Sequence, residues 1–172
     1  MKPKHEINWK PLIVIISAFA LIYLIYNSGL IFNITGSMPI GIYYTSSNTK
    51  NIKKGDFVIV KLPFQLQKFG VERKYIPNYK TKLLKEVIGI PGDKVNLKDK
   101  EIVINNSHVY KAPTYKYDME HRKLHFYPRG EYISKSYWLY GENNPDESWD
   151  SRYYGPVNKL NILKKAVPVI TI

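Results

Sequence analysis

The sequence contains no cysteine among its 172 residues. That absence excludes disulfide bonds, thiolate nucleophiles and zinc sites with cysteine ligands. Acidic residues are scarce, since 14 Asp and Glu stand against 26 Lys and Arg, and the net charge is +12. Such a surplus is typical of proteins that meet nucleic acid or an anionic membrane. No helix-turn-helix pattern or aromatic RNA-binding box is present, so we expect membrane lipid as a partner and no nucleic acid.

Charged side chains are also absent from the whole of residues 11–49. Residues 11–32 are mostly apolar and predict a transmembrane anchor, because a helix of that length would rise roughly 33 Å and cross a hydrocarbon core of about 30 Å. A cleaved export signal is the alternative, but no Ala-x-Ala cleavage site follows the segment. The uncharged, tyrosine-bearing residues 40–49 are a further candidate for contact with lipid, through Ile42 and Tyr43.

Lysines precede this segment and none directly follows it, which predicts the orientation of the chain. Residues 1–10 are expected in the cytoplasm, and residues 33–172 are expected to form a domain on the outer face of the membrane. We therefore predict a single-pass membrane protein.

Beyond residue 49, short apolar runs alternate with turn residues, which is typical of a β domain. Residues 64–73 are ambiguous and are compatible with a short helix. The predicted fold is mainly β, an antiparallel domain with one or two short helices. The runs predicted as strands are residues 56–61, 83–90, 95–97, 101–105, 108–111, 137–140 and 165–172.

The first of three segments that suggest chemistry is residues 35–43, in which Ser37 stands between Gly36 and Met38-Pro39. A serine with little side-chain bulk around it is a reasonable nucleophile if a base lies within about 3 Å. The alternative is a linker between the anchor and the domain.

The second segment is residues 84–93, which includes Lys85. Strand alternation places Lys85 on the same face as Leu83 and Val87, where the charged ammonium loses hydration. To act as a base near neutral pH, its pKa must fall from ~10.4 to about 7–8. The alternative is an edge-strand lysine whose ammonium group reaches water.

The third segment, residues 141–156, is polar, forms turns and is rich in hydrogen-bonding groups. Asp150 and Arg152 are close enough in sequence to pair, and the Ser148 hydroxyl is available to a neighbouring amine. A surface loop without function would have a similar composition.

His121 and His125 are four residues apart, but no third metal ligand is evident, so we expect no metal and no cofactor.

Together, the three segments resemble the three conserved boxes of type I signal peptidases, in the same chain order. The specific parts are Gly89-x-Pro91-Gly92-Asp93 and Ser148-x-Asp150-Ser151-Arg152. The Ser-Met-Pro-x-Gly-x-Tyr form that begins at Ser37 resembles the conjugative-transfer (TraF-like) branch of this family. Residues 68–85, with Arg73-x-Tyr75-x-Pro77, are similar to that branch as well. The resemblance covers nearly the whole chain.

The resemblance implies a serine endopeptidase of a bacterial inner membrane, with a Ser-Lys dyad and a signal-peptidase-like β domain. Residues 33–172 would then be its periplasmic catalytic domain. Its expected substrates are exported precursors with small residues at the first and third positions before the cut, and a conjugative pilin precursor is the specific prediction. The implied site residues are Ser37 as nucleophile, Lys85 as general base, Ser148 as the serine that orients the lysine, the Ser37 N–H and the Thr35 hydroxyl as oxyanion donors, and Asp150 and Arg152 as braces of the loop.

Two residues depart from the pattern of the family. Glu86 stands where an arginine is frequent, and Glu142 replaces the usual aspartate after Gly141. Arg152 must then form an ion pair with Asp150 alone, or it pairs with both Asp150 and Glu86. These departures favour the alternative function, a catalytically inactive assembly component of a conjugation or secretion system. A self-cleaving repressor also uses Ser-Lys chemistry, but it should carry a DNA-binding module where this chain has the apolar segment.

Overall fold

The computed structural model describes residues 8–172 and is mainly antiparallel β, as predicted. The helices are α1 (Lys10–Asn27), α2 (Phe64–Glu72) and α3 (Ser151–Tyr154), with 3₁₀ turns at Pro145–Glu147 and Lys159–Asn161. The strands are β1 (Leu30–Asn33), β2 (Gly41–Ser46), β3 (Phe57–Val60), β4 (Leu83–Gly89), β5 (Lys94–Leu97), β6 (Glu101–Ile104), β7 (His108–Lys111), β8 (Gly130–Ile133), β9 (Trp138–Tyr140) and β10 (Ile162–Thr171).

The strands form two antiparallel sheets. The larger has six strands in the order β1-β2-β10-β3-β4-β9, and the smaller has four in the order β7-β6-β5-β8. β10 is therefore the strand that joins the β1-β2 pair to the β3-β4 pair, with Ala166 opposite Thr45 on one side and Phe57 on the other. The short loop from β4 to β5, at Pro91 and Gly92, carries the chain from the larger sheet to the smaller one.

The apolar segment at the start of the chain differs from the prediction. α1 begins with Pro11 in its first turn, where proline is tolerated, and ends at Asn27. Gly29 adopts a positive φ of 79°, which ends the helical path, and Leu30–Asn33 continues as β1. The helix predicted over residues 11–32 is therefore wrong in its extent, because 18 residues rise only about 27 Å. Within residues 8–172, no helix has the length and hydropathy that crossing a membrane requires. Most of the predicted cytoplasmic segment, residues 1–7, lies outside the described residues.

The strands predicted beyond residue 49 are confirmed to within a few residues, and the ambiguous residues 64–73 form α2. Three strands were not predicted, namely β1, β2 and β8. The prediction that Tyr43 contacts lipid is wrong, because its side chain is fully buried and its hydroxyl donates to the Pro39 carbonyl at 2.7 Å.

Three apolar clusters make up the core, and one of them fixes the residues around Ser37. Met38, directly after that serine, is fully buried against Tyr43, Ile59, Leu84 and Ala166, which come from β2, β3, β4 and β10. Truncation of a buried methionine of this kind costs about 2–5 kcal/mol. The Met38 side chain therefore anchors the turn that carries Ser37 to the larger sheet.

Candidate active site

Ser37, in the turn between β1 and β2, and Lys85, on β4, line one cavity of about 620 Å³. In the larger sheet, β10 and β3 lie between β2 and β4. Within residues 8–172, no hydrogen bond of the Ser37 hydroxyl is found, so the two side chains share the cavity without contact between their polar ends. The cavity is the place where the three segments singled out in the sequence meet.

Asn33 holds the turn that presents Ser37, which we call the nucleophile turn (residues 33–39). Its Nδ2 atom lies 3.0 Å from each of the carbonyl oxygens of Thr35, Met38 and Pro39. Its Oδ1 atom accepts from the Thr35 N–H at 3.2 Å and from the Thr35 hydroxyl at 2.7 Å. Since Asn33 is only 7% exposed, these bonds satisfy a buried amide and fix the backbone around the serine.

The Thr35 hydroxyl, a predicted oxyanion donor, is thus already engaged inside the nucleophile turn. Asn143 supports the same turn from the other side, because its Nδ2 donates to the Gly36 carbonyl at 2.9 Å. This bond ties residues 141–152 to the nucleophile turn.

Lys85 is 3% exposed, on the face of β4 where Val87 joins an apolar cluster. The pKa of its amine is lowered from 10.5 to about 8, mainly by burial; the charge of Asp150 opposes this shift and that of Arg152 adds to it. The amine donates to the Ser148 Oγ at 2.8 Å. A lysine in such a site is brought close to the range in which it acts as a base.

Ser148 connects the Lys85 amine by hydrogen bonds to a buried ion pair, Asp150–Arg152. Its hydroxyl donates to the Asp150 Oδ2 at 2.8 Å, and Arg152 binds the same carboxylate through its Nε and Nη2 at 2.8 and 2.9 Å. The side chains of Asp150 and Arg152 are 0% exposed. The guanidinium also donates to the carbonyl oxygens of Pro113, Pro145 and Ser148, so each of its three nitrogens has at least one acceptor.

Gly141 is required by close packing at this point. A Cβ at residue 141 would lie 2.1 Å from the Ser148 Oγ, 2.7 Å from the Ser148 Cβ and 3.0 Å from the Ser37 carbonyl oxygen. Its N–H donates to the Asp150 Oδ2 at 3.2 Å. Only a residue without a side chain lets the nucleophile turn and the Lys85 partner pack against the same backbone.

Glu86, one residue after Lys85, points to the other face of β4, and it does not share the charge of Arg152. Its side chain contacts that of Glu142, and burial together with this second carboxyl raises the pKa of Glu86 to about 8. Within the described residues, its Oε2 atom has no hydrogen-bond partner. The two departures from the family pattern are therefore in contact with each other, and one proton between them is the expected state at neutral pH.

Each predicted site residue lies in or directly behind the cavity. Ser37, Thr35 and Lys85 line it, and Ser148, Asp150 and Arg152 form a hydrogen-bonded row behind Lys85. Sequence reasoning missed Asn33 and Asn143. An Asn two residues before a Thr-x-Ser turn is a recognisable signal, since asparagine side chains often bond to the backbone two residues on. Asn143 carries no such signal, because its acceptor lies far away in sequence.

The two histidines considered in the sequence are His121 and His125. His125 packs against the ring of Phe69, with 6.3 Å between ring centroids. In the part of the chain that the structure describes, no group of three or more acidic or histidine side chains is placed to hold a metal ion.

Comparison with known proteins supports the resemblance seen in the three segments. A sequence model of the family "Signal peptidase, peptidase S26" matches residues 7–171. A plasmid transfer protein TraF from Escherichia coli is 30% identical over 154 residues, which cover 85% of each chain. The conjugal transfer protein TraF of Agrobacterium fabrum (strain C58 / ATCC 33970) is 29% identical over 147 residues, which cover 81% of each. A signal peptidase I structure from Enterococcus faecalis V583 is 19% identical, with a TM-score of 0.38 over 71% of this chain and 98% of that one.

The match of the family model extends over the nucleophile turn, β4 and residues 141–152 alike. The relatives named as transfer proteins match this chain over more than four fifths of its length and of their own. The chain belongs to the signal peptidase family, peptidase S26, and is similar to the TraF proteins within it.

Proposed function

We propose that the chain is a serine endopeptidase that removes signal or leader peptides from exported precursors, with Ser37 as nucleophile and Lys85 as general base. The observation that carries the proposal is the Lys85 amine, which is buried, bound by Ser148 and present in the same cavity as Ser37. A serine needs an adjacent base, and a neutral amine in a dry site supplies one.

The steps of the proposed reaction are set by the protons that Lys85 accepts and returns. Lys85 in its neutral form takes the proton of the Ser37 hydroxyl while the Oγ atom bonds to the carbonyl carbon of the scissile peptide. The resulting ammonium returns that proton to the leaving amine as the C–N bond breaks. Water, deprotonated by the same amine, then attacks the ester and releases the carboxylate product and Ser37. Because Ser148 accepts one N–H of the lysine and itself donates to Asp150, it keeps the amine from rotating during these transfers.

The oxyanion that forms on the substrate needs donors on the opposite side from Lys85. We propose the Ser37 N–H and the Thr35 hydroxyl for this role. The hydroxyl would turn from the Asn33 Oδ1, its present acceptor, to the oxyanion. Asn33 is then a positioning residue, since it holds both the backbone of the nucleophile turn and the resting place of this hydroxyl.

The substrate proposed is a precursor with small residues at the first and third positions before the cut, and specifically a conjugative pilin precursor. Support comes from the names of the relatives, which describe plasmid transfer and conjugal transfer proteins.

We further propose that the chain works at the outer face of a bacterial inner membrane, with its N-terminus on the cytoplasmic side. Support comes from α1, whose apolar side chains are exposed over much of its length, for example Ile13 at 61% and Phe19 at 68%. Val167 and Ile170 on β10 are 58% and 64% exposed and add apolar surface on the larger sheet. Apolar surface of this extent is stable when lipid covers it. Extraction of the isolated membranes at alkaline pH tests the proposal, and recovery of the chain in the supernatant would contradict it.

The test of the enzymatic function is cleavage of a co-expressed pilin precursor in membranes. Wild-type protein should convert the precursor, whereas Ser37→Ala and Lys85→Ala should leave it intact at equal protein levels. Ser136→Ala is a matched control, because Ser136 is a partly exposed serine that lies outside the cavity.

The outcome also discriminates against the alternative of an inactive assembly component. If wild-type protein cleaves no exported precursor while conjugation depends on the chain, the assembly role is correct and the enzymatic proposal is wrong. If cleavage survives Lys85→Ala, the base has been wrongly assigned.

A further inference from the structure

A second cavity of about 570 Å³ lies beside the candidate active site and has no part in the mechanism above. Its lining combines aromatic and charged side chains, and we call it the aromatic cleft after the aromatic ones. These are Tyr75, Tyr115, Tyr117, Trp149 and Tyr153, and Met119 lies beside them. Clefts of this size with aromatic walls are typical of binding sites for extended chains or small molecules.

The aromatic cleft and the candidate cavity are neighbours across one short loop. Lys74, Tyr75, Glu147 and Trp149 line both of them. Ser148, which holds the Lys85 amine, lines the aromatic cleft. A chain that leaves the candidate cavity past this loop would enter the cleft directly.

Hydrogen bonds and close packing hold side chains of the cleft wall in place. Tyr75 donates its hydroxyl to the Asp118 Oδ2 at 2.8 Å, and the Arg122 Nε binds the same oxygen at 2.8 Å. Trp149 packs so closely on Gly70 that a Cβ there would lie 2.7 Å from its ring. Because these polar groups satisfy one another, the aromatic faces remain as the surface that a ligand would meet.

Several side chains in the cleft are exposed without an evident role in the fold. Met119 is 93% exposed and Tyr117 is 59% exposed. Flexible methionine and planar tyrosine side chains are suited to binding varied apolar groups. The charged part of the lining has four acidic and three basic side chains, namely Asp118, Glu120, Asp146, Glu147, Arg73, Lys74 and Arg122.

The proton path indicates which part of a substrate would reach the cleft. The amine that leaves must collect its proton from Lys85, so the first residue after the cut lies beside that lysine. Ser148 is the partner of Lys85 and separates it from the aromatic cleft. The chain that follows the cut is therefore the part that lies nearest to the cleft.

We propose that the aromatic cleft binds the substrate segment that follows the cleavage site and that it favours an aromatic side chain in that segment. This inference rests on the proposed endopeptidase function. It assigns specificity to a side of the cut that the small-residue requirement before the cut does not address.

The test is a series of synthetic peptides that share one Ala-x-Ala sequence before the cut. Behind the cut, each peptide carries an alanine-serine chain with one phenylalanine, placed from about two to about eight residues away, since an extended chain advances about 3.3 Å per residue. We expect one or two positions to lower KM by about three- to tenfold at unchanged kcat. The double variant Tyr117→Ser/Met119→Ser should lose this gain, whereas the control Tyr79→Ser, a 45% exposed tyrosine outside both cavities, should keep it.

The outcomes distinguish failure of the proposed role of the cleft from failure of the proposed endopeptidase function. If wild-type protein cuts every peptide with the same KM, the inference is wrong and the endopeptidase function stands. If wild-type protein cuts none of them, the endopeptidase proposal fails, and the segment behind the cut is tested alone as a phenylalanine-bearing peptide titrated against Trp149 fluorescence. Binding that Tyr117→Ser/Met119→Ser abolishes would support the cleft as a peptide site, and absence of binding to wild-type protein would overturn it.

Discussion

Lys85 and Glu86 are neighbours on β4, and their side chains lie on opposite faces of the strand beside different polar groups. Both side chains are buried, at 3% and 7% exposure. Lys85 meets a hydroxyl, Ser148, that is itself tied to an ion pair. Glu86 meets a second carboxyl, and within residues 8–172 one of its oxygens has no partner.

Burial brings both pKa values to about 8 from opposite directions, from 10.5 for Lys85 and from 4.5 for Glu86. On one face the result is an amine that gives up its proton more readily and has a fixed orientation. On the other face the result is a carboxyl group that keeps its proton. The comparison teaches that desolvation sets the direction of each shift, while the neighbouring polar group determines whether the residue is useful for chemistry.

The largest effect is expected from removal of the amine. Lys85→Met should lower kcat by about a thousandfold or more, since the serine loses its base. At the same time the free energy of unfolding at pH 7 should rise by up to roughly 3 kcal/mol, because a buried lysine with a depressed pKa opposes folding while it is charged. Precursor cleavage and urea denaturation measure the two quantities. A large loss of stability would show that the amine is well solvated, contrary to its burial.

A smaller loss of activity is expected when Lys85 is retained but its amine loses the hydrogen bond to Ser148. Gly141→Ala should push the Ser148 hydroxyl away from the Lys85 amine and lower kcat by about ten- to a hundredfold. Gly92→Ala is a useful control for insertion of a methyl group, because no atom lies near the added Cβ there, although its φ of 96° introduces local strain. Equal kcat values for Gly141→Ala and wild type would mean that Ser148 does not position the lysine.

The pH dependence of stability distinguishes the two faces. Since the pKa of Glu86 is raised, the folded state holds more protons than the unfolded state between about pH 4.5 and 8, and stability falls across that range. Since the pKa of Lys85 is lowered, its penalty is relieved between about pH 8 and 10.5, and stability rises there. Glu86→Gln should flatten the first slope and leave the second. Thermal unfolding at stepped pH values provides the measurement, and an unchanged first slope would refute the protonated Glu86.

The smallest effect is the electrostatic influence of Glu86 on Lys85, across the two faces of β4. The rate of cleavage should rise with pH through an apparent pKa of about 8, the value for Lys85. Asp150 and Arg152 influence that value, and Glu86 is not among its causes, so Glu86→Gln should leave the pH–rate profile in place. A shift of the profile by a full pH unit would show that the two faces are electrostatically joined.

Much of the fold and site was predictable because local signals coincide with tertiary ones. The apolar run that ends at Pro91-Gly92 predicts β4, and strand alternation places Lys85 on the face of Val87. Alternation did not predict that Glu86, on the opposite face, is buried as well. β2 was missed, because its buried Tyr43 lies in an uncharged stretch that composition alone does not separate from a lipid-facing one. The end of α1 was missed as well, since Gly29 interrupts a hydrophobic run that continues into β1.

The rest depends on contacts between distant residues, which a single sequence does not reveal. Glu86 and Glu142 each looked like an isolated departure from the family pattern, and only the antiparallel pairing of β4 with β9, with Glu86 opposite Tyr140, brings them together. The bond from Asn143 to the Gly36 carbonyl is of the same kind.

The place of β10 in the larger sheet has a consequence for biosynthesis. Ser37, Lys85 and Ser148 all precede β10 in the chain, yet β10 is the strand that joins the sheet half bearing the nucleophile turn to the half bearing Lys85. During synthesis from the N-terminus, every reactive group therefore emerges from the ribosome before the strand that brings them together. A nascent chain that pairs β1 with β2 and β3 with β4 therefore lacks the strand that brings Ser37 and Lys85 to one cavity until residues 162–171 have been synthesised.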